Sequence, residues 1–327
     1  MLFYSNLFAD RPVRYAVAGL SHGHVDWAFS KNNPQNMILV GIYETNPELV
    51  ERYVKRYNLD RKLFFVDLTK MLDEAKPEAV TAFGPIDEHI KIVRACAPKG
   101  IHVMVEKPLA TTLADAVEIQ KLEIKNRIHV LTNLMQEGTL GNIRKVMVND
   151  GHEGPQEIGV SKEFLSFLTD PVQNGGGAII DFGCYGANLM TWLLHGEKPL
   201  SVTAVTNQNK PDIYKKVDDE ATIILQYPKL QCIIQGSWNW SYSRKDMEIY
   251  GDKGYAIAVD PTTIRQRIGS NSQEQAFKIE ARPAPFTNPF AVLTQVVQGK
   301  LKLEQNDLYG LPINVTVVEI LKKKKKS

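Results

Sequence analysis

Short apolar runs alternate with amphipathic stretches over the first part of the chain. Runs of that length, bounded by turn residues, read as buried strands. They predict strands at 13–19 (VRYAVAG), 37–44 (MILVGIYE), 62–66 (KLFFV), 79–83 (AVTAF), 101–105 (IHVMV) and 128–132 (IHVLT). Helices fill the gaps. A turn at 20–29 (LSHGHVDWAF) feeds one, and another covers 46–58, with Asn46 as N-cap and Pro47 at its first position. Further helices are expected at 68–75, at 87–100 with Gly100 as the stop, and at 111–126. Strands alternating with helices imply a doubly wound parallel sheet. After Asn133 the pattern changes. Runs at 143–150, 200–208, 220–227, 230–240, 245–251 and 255–259 are separated by turn signals such as GDKG, which implies a mostly antiparallel sheet. One helix, 177–196, is embedded among them. The chain is thus read as α/β, with two domains at 1–133 and 134–327, the second an α+β domain with a large open sheet.

Two stretches of the first domain carry candidate chemistry. In HVMVEKPLATT (102–112) an apolar strand runs into Glu106, Lys107 and Pro108. Proline has no N–H to give a sheet, so the strand stops there. The charges are either a pair at a strand terminus or a lysine held at the carboxyl edge of a parallel sheet, where α/β folds bind ligands. The first turn, AGLSHGH, follows a strand and opens a helix, so its N–H groups would face a pyrophosphate. The dinucleotide fingerprint falls on Gly19, Ser21 and His24, of which only the first is glycine; Gly23 stands one position early. Glu44 closes the second strand. An acid there accepts hydrogen bonds from ribose hydroxyls and repels a 2′-phosphate, and Thr45 rather than arginine follows it, which favours NAD over NADP. The competing reading makes Glu44 a solvated loop carboxylate. His22 and His24 lack a third ligand at a recognisable spacing, so no metal site is expected. They pack beside the phosphates or are satisfied polar side chains.

In the second domain, AIIDFGCYGANLMTWLL is apolar almost all round and therefore buried. Asp181, Tyr185 and Asn188 interrupt it on one helical face. Such a stripe either bonds neighbouring backbone or lines a wet cavity for a polar ligand. Gly183, Gly186 and the NGGG loop before the helix favour the cavity. Trp238 and Trp240 are candidates for stacking on a sugar ring, with one of them expected in the core or an interface.

Composition narrows the partners. The 327-residue chain carries a net charge of +2, which gives no pull toward nucleic acid. No segment has the apolar length of a membrane span. Cys96, Cys184 and Cys232 lie far apart, against a disulfide framework or a cysteine zinc site. MLFYSNLFAD lacks the basic start of a signal peptide, so the cytoplasm is expected, with the periplasm second. The closing KKKKKS reads as a solvated tail.

These motifs together resemble the Gfo/Idh/MocA oxidoreductases, which include glucose–fructose oxidoreductase and inositol dehydrogenase. HVMVEKPLATT is similar to the EKP signature, and FGPIDEH to the loop with a histidine four residues after a proline. EGTLGNIRKV, GGGAIIDFGCYGANLMTWLL, WNW…KDMEIYGDKG and NPFAVLTQVVQGK resemble later stretches of the family, so the likeness covers nearly the whole chain. It implies an N-terminal Rossmann domain, a C-terminal sheet often used for oligomerisation into a homodimer or homotetramer, NAD(P), and a sugar or polyol substrate. By the resemblance Lys107 lies near the reacting hydroxyl and the nicotinamide, Asp181 binds substrate, and Tyr185 stands where many members have a catalytic histidine. This matches the tyrosine-containing branch. Gly19, Ser21, His22, Gly23, His24, Glu44, Thr45, Pro85, His89, Glu106 and Lys107 would hold the cofactor. A cis bond is expected at Lys107–Pro108.

The expected reaction moves a hydride between a carbinol carbon and NAD. A free tyrosine is a poor base, and the Lys107 ammonium is expected to favour its phenolate and to stabilise alkoxide character. The sequence departs from the family in its SHGH loop, in a shortened stretch after Asn133 and at its lysine-rich end. Two other readings stand beside the dehydrogenase: an NAD-dependent glycosidase working by transient oxidation, and a non-catalytic dinucleotide-sensing regulator.

Overall fold

Buried on both faces, the apolar runs of the first half pair side by side as a parallel sheet. The computed structural model describes residues 11–34, 36–119, 138–260, 262–279, 284–285 and 288–301. Its first sheet contains β1 (Val13–Ala18), β2 (Met37–Tyr43), β3 (Phe64–Phe65), β4 (Ala79–Ala82) and β5 (His102–Val105), in the order β3-β2-β1-β4-β5. All neighbours are parallel. The connecting helices are α1 (Pro47–Tyr57), α2 (Leu68–Ala75), α3 (His89–Cys96) and α4 (Leu113–Ile119). Asn46 caps α1 through Glu48 N at 2.9 Å, and Asn58 ends it in the left-handed region. The expected helix after β1 is instead a 3₁₀ segment, Gly23–Phe29. Val25 N bonds His22 O and Ser30 N bonds Trp27 O, the tighter pattern of that helix. The expected strand 128–132, the domain boundary at 133 and the shortened stretch beside it lie outside the described residues.

The second sheet contains β6 (Ile143–Gly151), β7 (Ser201–Asn207), β8 (Glu220–Gln226), β9 (Gln231–Ser237), β10 (Arg244–Gly251), β11 (Gly254–Asp260), β12 (Thr263–Ile268) and β13 (Gln275–Lys278). The order is β13-β12-β11-β10-β6-β9-β8-β7, antiparallel throughout except for the β6–β9 pair. Strands β12 and β13 went unpredicted, as did a helix, α5 (Lys162–Leu168). The predicted helix 177–196 is broken at Phe182 into α6 (Ala178–Asp181) and α7 (Gly183–Leu193). One face of the sheet, including Val146, Val148, Ile223, Ile234, Met247 and Ile249, packs on Ile179, Ile180, Met190 and Leu193 of these helices. The last described helix is α8 (Pro289–Val297). Phe290 and Leu293 pack among Tyr15, Val17, Leu49 and Phe83, so the chain returns to the first domain's core.

The glycine loop before α6 is a packing device rather than a cavity wall. A Cβ on Gly177 would lie 1.7 Å from the carbonyl oxygen of Asp218. Asp218 in turn accepts from Ile179 N at 2.8 Å and from Gly177 N at 3.2 Å, which caps the helix start. Gly177→Ala is expected to cost ~3 kcal/mol, read as a lower urea midpoint with an unchanged m-value. Cys96, Cys184 and Cys232 are buried free thiols. Among the described residues no helix is long and apolar enough to cross a membrane.

Candidate active site

Register places the candidate residues. Ala18 pairs with Tyr43 and with Ala82, and Ala82 pairs with Val105. The residues that follow, Gly19, Glu44, Phe83 and Glu106, therefore emerge in one row at the carboxyl edge of the parallel sheet. Gly19 has φ +85°, and a Cβ there would lie 2.7 Å from Gly84 Cα, so the two turns touch and only glycine fits. Glu44 is buried, not the solvated carboxylate of the competing reading. It accepts from Leu20 N and Asn46 N, each at 2.8 Å, and so braces the first turn. Burial raises its pKa against these hydrogen bonds. Ser21, Asn46 and Pro85, from three of these loops, line an open cleft of about 370 Å³ whose far wall is Lys162, Glu163 and Phe167. Thr45 is exposed beside it. A cleft across the carboxyl ends of β1, β2 and β4, with an acid at the end of β2, fits a dinucleotide. The α5 wall was not foreseen.

Sequence spacing hid the third member of the histidine pair. Glu106 Oε1 lies 2.9 Å from His24 Nδ1, and Glu106 Oε2 lies 4.0 Å from His22 Nε2. His22, His24 and Glu106 could in principle surround a metal ion. Their hydrogen bonds argue otherwise. His22 Nδ1 accepts the His24 N–H at 3.1 Å, which leaves the proton of the neutral ring on Nε2, the atom that a metal would need. His22 is held neutral, pulled down to about 3 by burial against the opposing charge of Glu106. Burial raises the Glu106 carboxyl, but the His24 hydrogen bond and the Lys107 ammonium oppose it, and it lies low, at about 2. His24 stacks on Trp27, with centroids 3.9 Å apart. Gly23 is exposed at this turn.

One residue further, the Lys107–Pro108 bond is cis. Lys107 Nζ lies 2.5 Å from Asp181 Oδ1 and 3.2 Å from Asp181 O, and 4.9 Å from the centre of the Tyr185 ring. Asp181 Oδ2 accepts the indole N–H of Trp238 at 3.0 Å. Trp238 is therefore core and positions the carboxylate, while Trp240 lies beside Arg244. Burial opposes both charges, yet each partner outweighs it. Lys107 is held well above its ordinary range by the Asp181 carboxylate, and Asp181 is held below its own by Lys107 and Trp238. The ion pair is thus charged at neutral pH. Tyr185 reverses an expectation. Burial raises its phenol more than Lys107 lowers it, so the phenol stays protonated. The Lys107 charge is already matched by Asp181, which leaves little to stabilise a phenolate. Asn188 is exposed and does not share the buried position of Asp181.

His89 is fully buried, and its Nδ1 lies 3.0 Å from Leu109 O. It stands behind the Lys107 turn as a support, not on the cleft surface. The sequence reading also missed Asp150, His152 and Lys245. Lys245 Nζ lies 4.5 Å from the Tyr185 ring centre, which is as close as Lys107 comes, and 3.7 Å from Asp150 Oδ1. His152 meets Phe182 edge-on at 4.9 Å. The chemical content is a protonated phenol flanked by two ammonium groups, beside a cleft fit for a dinucleotide.

The first domain matches the oxidoreductase family with an NAD-binding Rossmann fold over residues 13–133, and the second matches the GFO/IDH/MocA C-terminal domain over 128–257. Among curated relatives, trans-1,2-dihydrobenzene-1,2-diol dehydrogenase of Bos taurus is 27% identical over 222 residues, 62% of this chain and 61% of its own length. The Xenopus laevis enzyme of the same name is 27% identical over 232 residues, 64% of each chain. This chain thus spans about three-fifths of the relatives' length. Among solved structures, an inositol dehydrogenase homolog from Azotobacter vinelandii complexed with NAD+ superposes with a TM-score of 0.77 at 17% identity, covering 96% of this chain and 94% of that one. An aldose–aldose oxidoreductase from Caulobacter crescentus complexed with glycerol gives 0.69 at 22% identity, covering 97% and 98%. At these identities the superpositions show a shared fold.

Proposed function

The chain belongs to the GFO/IDH/MocA family, and from that premise we propose that it is an NAD-dependent oxidoreductase acting on a secondary alcohol of a sugar, polyol or cyclic diol. One observation carries the reading: Lys107 is clamped by Asp181 and lies over the Tyr185 ring at the carboxyl edge of the nucleotide-binding sheet. Each residue has a distinct task. The Lys107 ammonium faces the reacting oxygen and stabilises negative charge as it develops there. Asp181 holds that ammonium in place, itself fixed by Trp238. Tyr185, protonated, donates a hydrogen bond to the reacting oxygen. Bound NAD supplies the hydride acceptor. Ser21, Gly23, His24, Thr45, Pro85 and Glu106 line its path, with Gly19 and Glu44 shaping the turn.

NAD is favoured over NADP because Glu44 stands where a 2′-phosphate would be carried. Calorimetric titration is expected to give at least tenfold tighter binding of NAD+ than of NADP+, and the reverse order would remove Glu44 from this role. The reading as a whole is tested by following NADH formation against monosaccharides, inositols and cyclic vicinal diols. A second copy of the chain is expected on the face of the large sheet opposite α6 and α7. There Ile224, Ile233, Met147 and Ile257 are half-buried and, with Glu248, form a row across five strands.

A further inference from the structure

Along β6 and β10 the helix-covered face of the large sheet is apolar until its last rung. Along β6, Val146 and Val148 lie in the core and Asp150 follows on the same face; along β10, Ile249 and Met247 lie in the core and Lys245 follows. Asp150 and Lys245 are directly opposite in the antiparallel register. The sheet thus ends in a cross-strand pair of charges where it meets Tyr185. Asp150 is 4% exposed, and its Oδ1 has no hydrogen-bond partner among the described residues. The Lys245 ammonium stands 3.7 Å from that oxygen, beyond hydrogen-bond length, and a substrate hydroxyl would supply the bond it lacks. Alcohol oxidation also needs a proton acceptor. Lys107 and Tyr185 both hold their protons at neutral pH, so neither is free to take one.

We propose that Asp150, oriented by Lys245, accepts a hydrogen bond from the substrate hydroxyl and takes the proton that oxidation releases. The inference rests on the oxidoreductase reading. The carbinol C–H bond breaks with its electron pair passing as hydride to oxidised nicotinamide. The O–H bond breaks with its pair forming the carbonyl π bond, and the proton goes to the Asp150 carboxylate; reduction returns it. Burial brings Asp150 up to about 7, against the Lys245 and Lys107 ammonium groups and with the Asp181 charge. Tyr185 and Cys184, on α7, complete the groups that sense it. An acceptor with a pKa near the working pH is suited to such a transfer.

The test compares wild type, Asp150→Asn and Lys245→Met, using trans-cyclohexane-1,2-diol and NAD+. Asp150→Asn is expected to lose about 100-fold in kcat with NAD+ affinity unchanged, and to lose the limb of the pH profile near neutrality. Independently of activity, protein labelled with ¹³C at aspartate Cγ is expected to show one carboxyl titrating near neutrality. That signal should vanish in Asp150→Asn, titrate higher in Lys245→Met and shift when the diol binds. A carboxyl raised by burial releases its proton more readily in the unfolded chain, so stability is lost as pH rises from about 4 to about 7. Asp150→Asn should therefore melt higher than wild type at pH 8. No such titrating carboxyl, or an Asp150→Asn variant within threefold of wild type, would overturn the proposal. If Asp150→Asn fails to fold, the titration in Lys245→Met decides. A wild type that forms no NADH from any alcohol would sink the oxidoreductase reading instead, and the titration would still judge Asp150.

Discussion

Replacing Lys107 by Met is expected to lower kcat for alcohol oxidation by about 10³-fold, the scale of losing a preorganised charge at the reacting oxygen. NAD+ affinity should change little. The same substitution strips the buried Asp181 of its cation and should cost ~3 kcal/mol of stability. The pH dependence has a defined sign. Asp181 sits below its ordinary range in the folded protein, so its contribution is present above the usual carboxylate pKa and fades as pH falls. Lys107 sits above its ordinary range, so its contribution is present below the usual lysine pKa and fades as pH rises past the folded value. The pair is thus fully stabilising across the neutral range. In Lys107→Met the deficit should be largest near neutrality and shrink in acid, where Asp181 is neutralised by a proton. Lys107→Met/Asp181→Asn should recover stability without recovering activity, which separates the structural role of the pair from its chemical one. Denaturant titrations at two pH values, beside steady-state kinetics, check both.

Tyr185→Phe removes one oxygen and little else. The ring keeps its place beside Phe182, 6.4 Å between centroids, and its contacts with the Lys107 and Lys245 ammonium groups. Stability and KM should hardly move, while kcat falls by about 10²-fold through loss of the phenolic hydrogen bond to the reacting oxygen. Because burial carries the Tyr185 phenol above its usual range, no limb of the wild-type pH profile near neutrality belongs to it. A variant with wild-type kcat would reduce Tyr185 to a wall of the site.

Much of the site was legible because local order sets it. The short strands end where Glu44 and Glu106 begin, and parallel register alone brings those ends into one row. Lys107, Asp181 and Tyr185 stand in stretches whose apolar character makes a polar residue conspicuous. What stayed hidden depends on pairing between distant strands. Glu106 completes the His22–His24 cluster from 82 residues away, and spacing along the chain has no access to that. The Asp150–Lys245 pair left a fainter signal, a charge continuing the period-two apolar face of each strand. Only the register of β6 with β10 makes them partners. The helix was read through Phe182 because the residues around it are apolar apart from Asp181 and no proline marks a break. Trp238 looked like a sugar platform, since an indole shows in sequence as surface area rather than as a donor to Asp181. The return of Phe290 and Leu293 to the first core has no local signature at all.

The central claim is that this site moves a hydride from a carbinol carbon with Lys107 and Tyr185 at the reacting oxygen. Its most direct measurement is mass spectrometry of the reduced cofactor formed from trans-cyclohexane-1,2-diol deuterated at the carbinol carbons. The account predicts NADH heavier by one deuterium from the wild-type protein, and none from Lys107→Met over the same interval. Unlabelled NADH, or labelled NADH formed equally well by Lys107→Met, would contradict it.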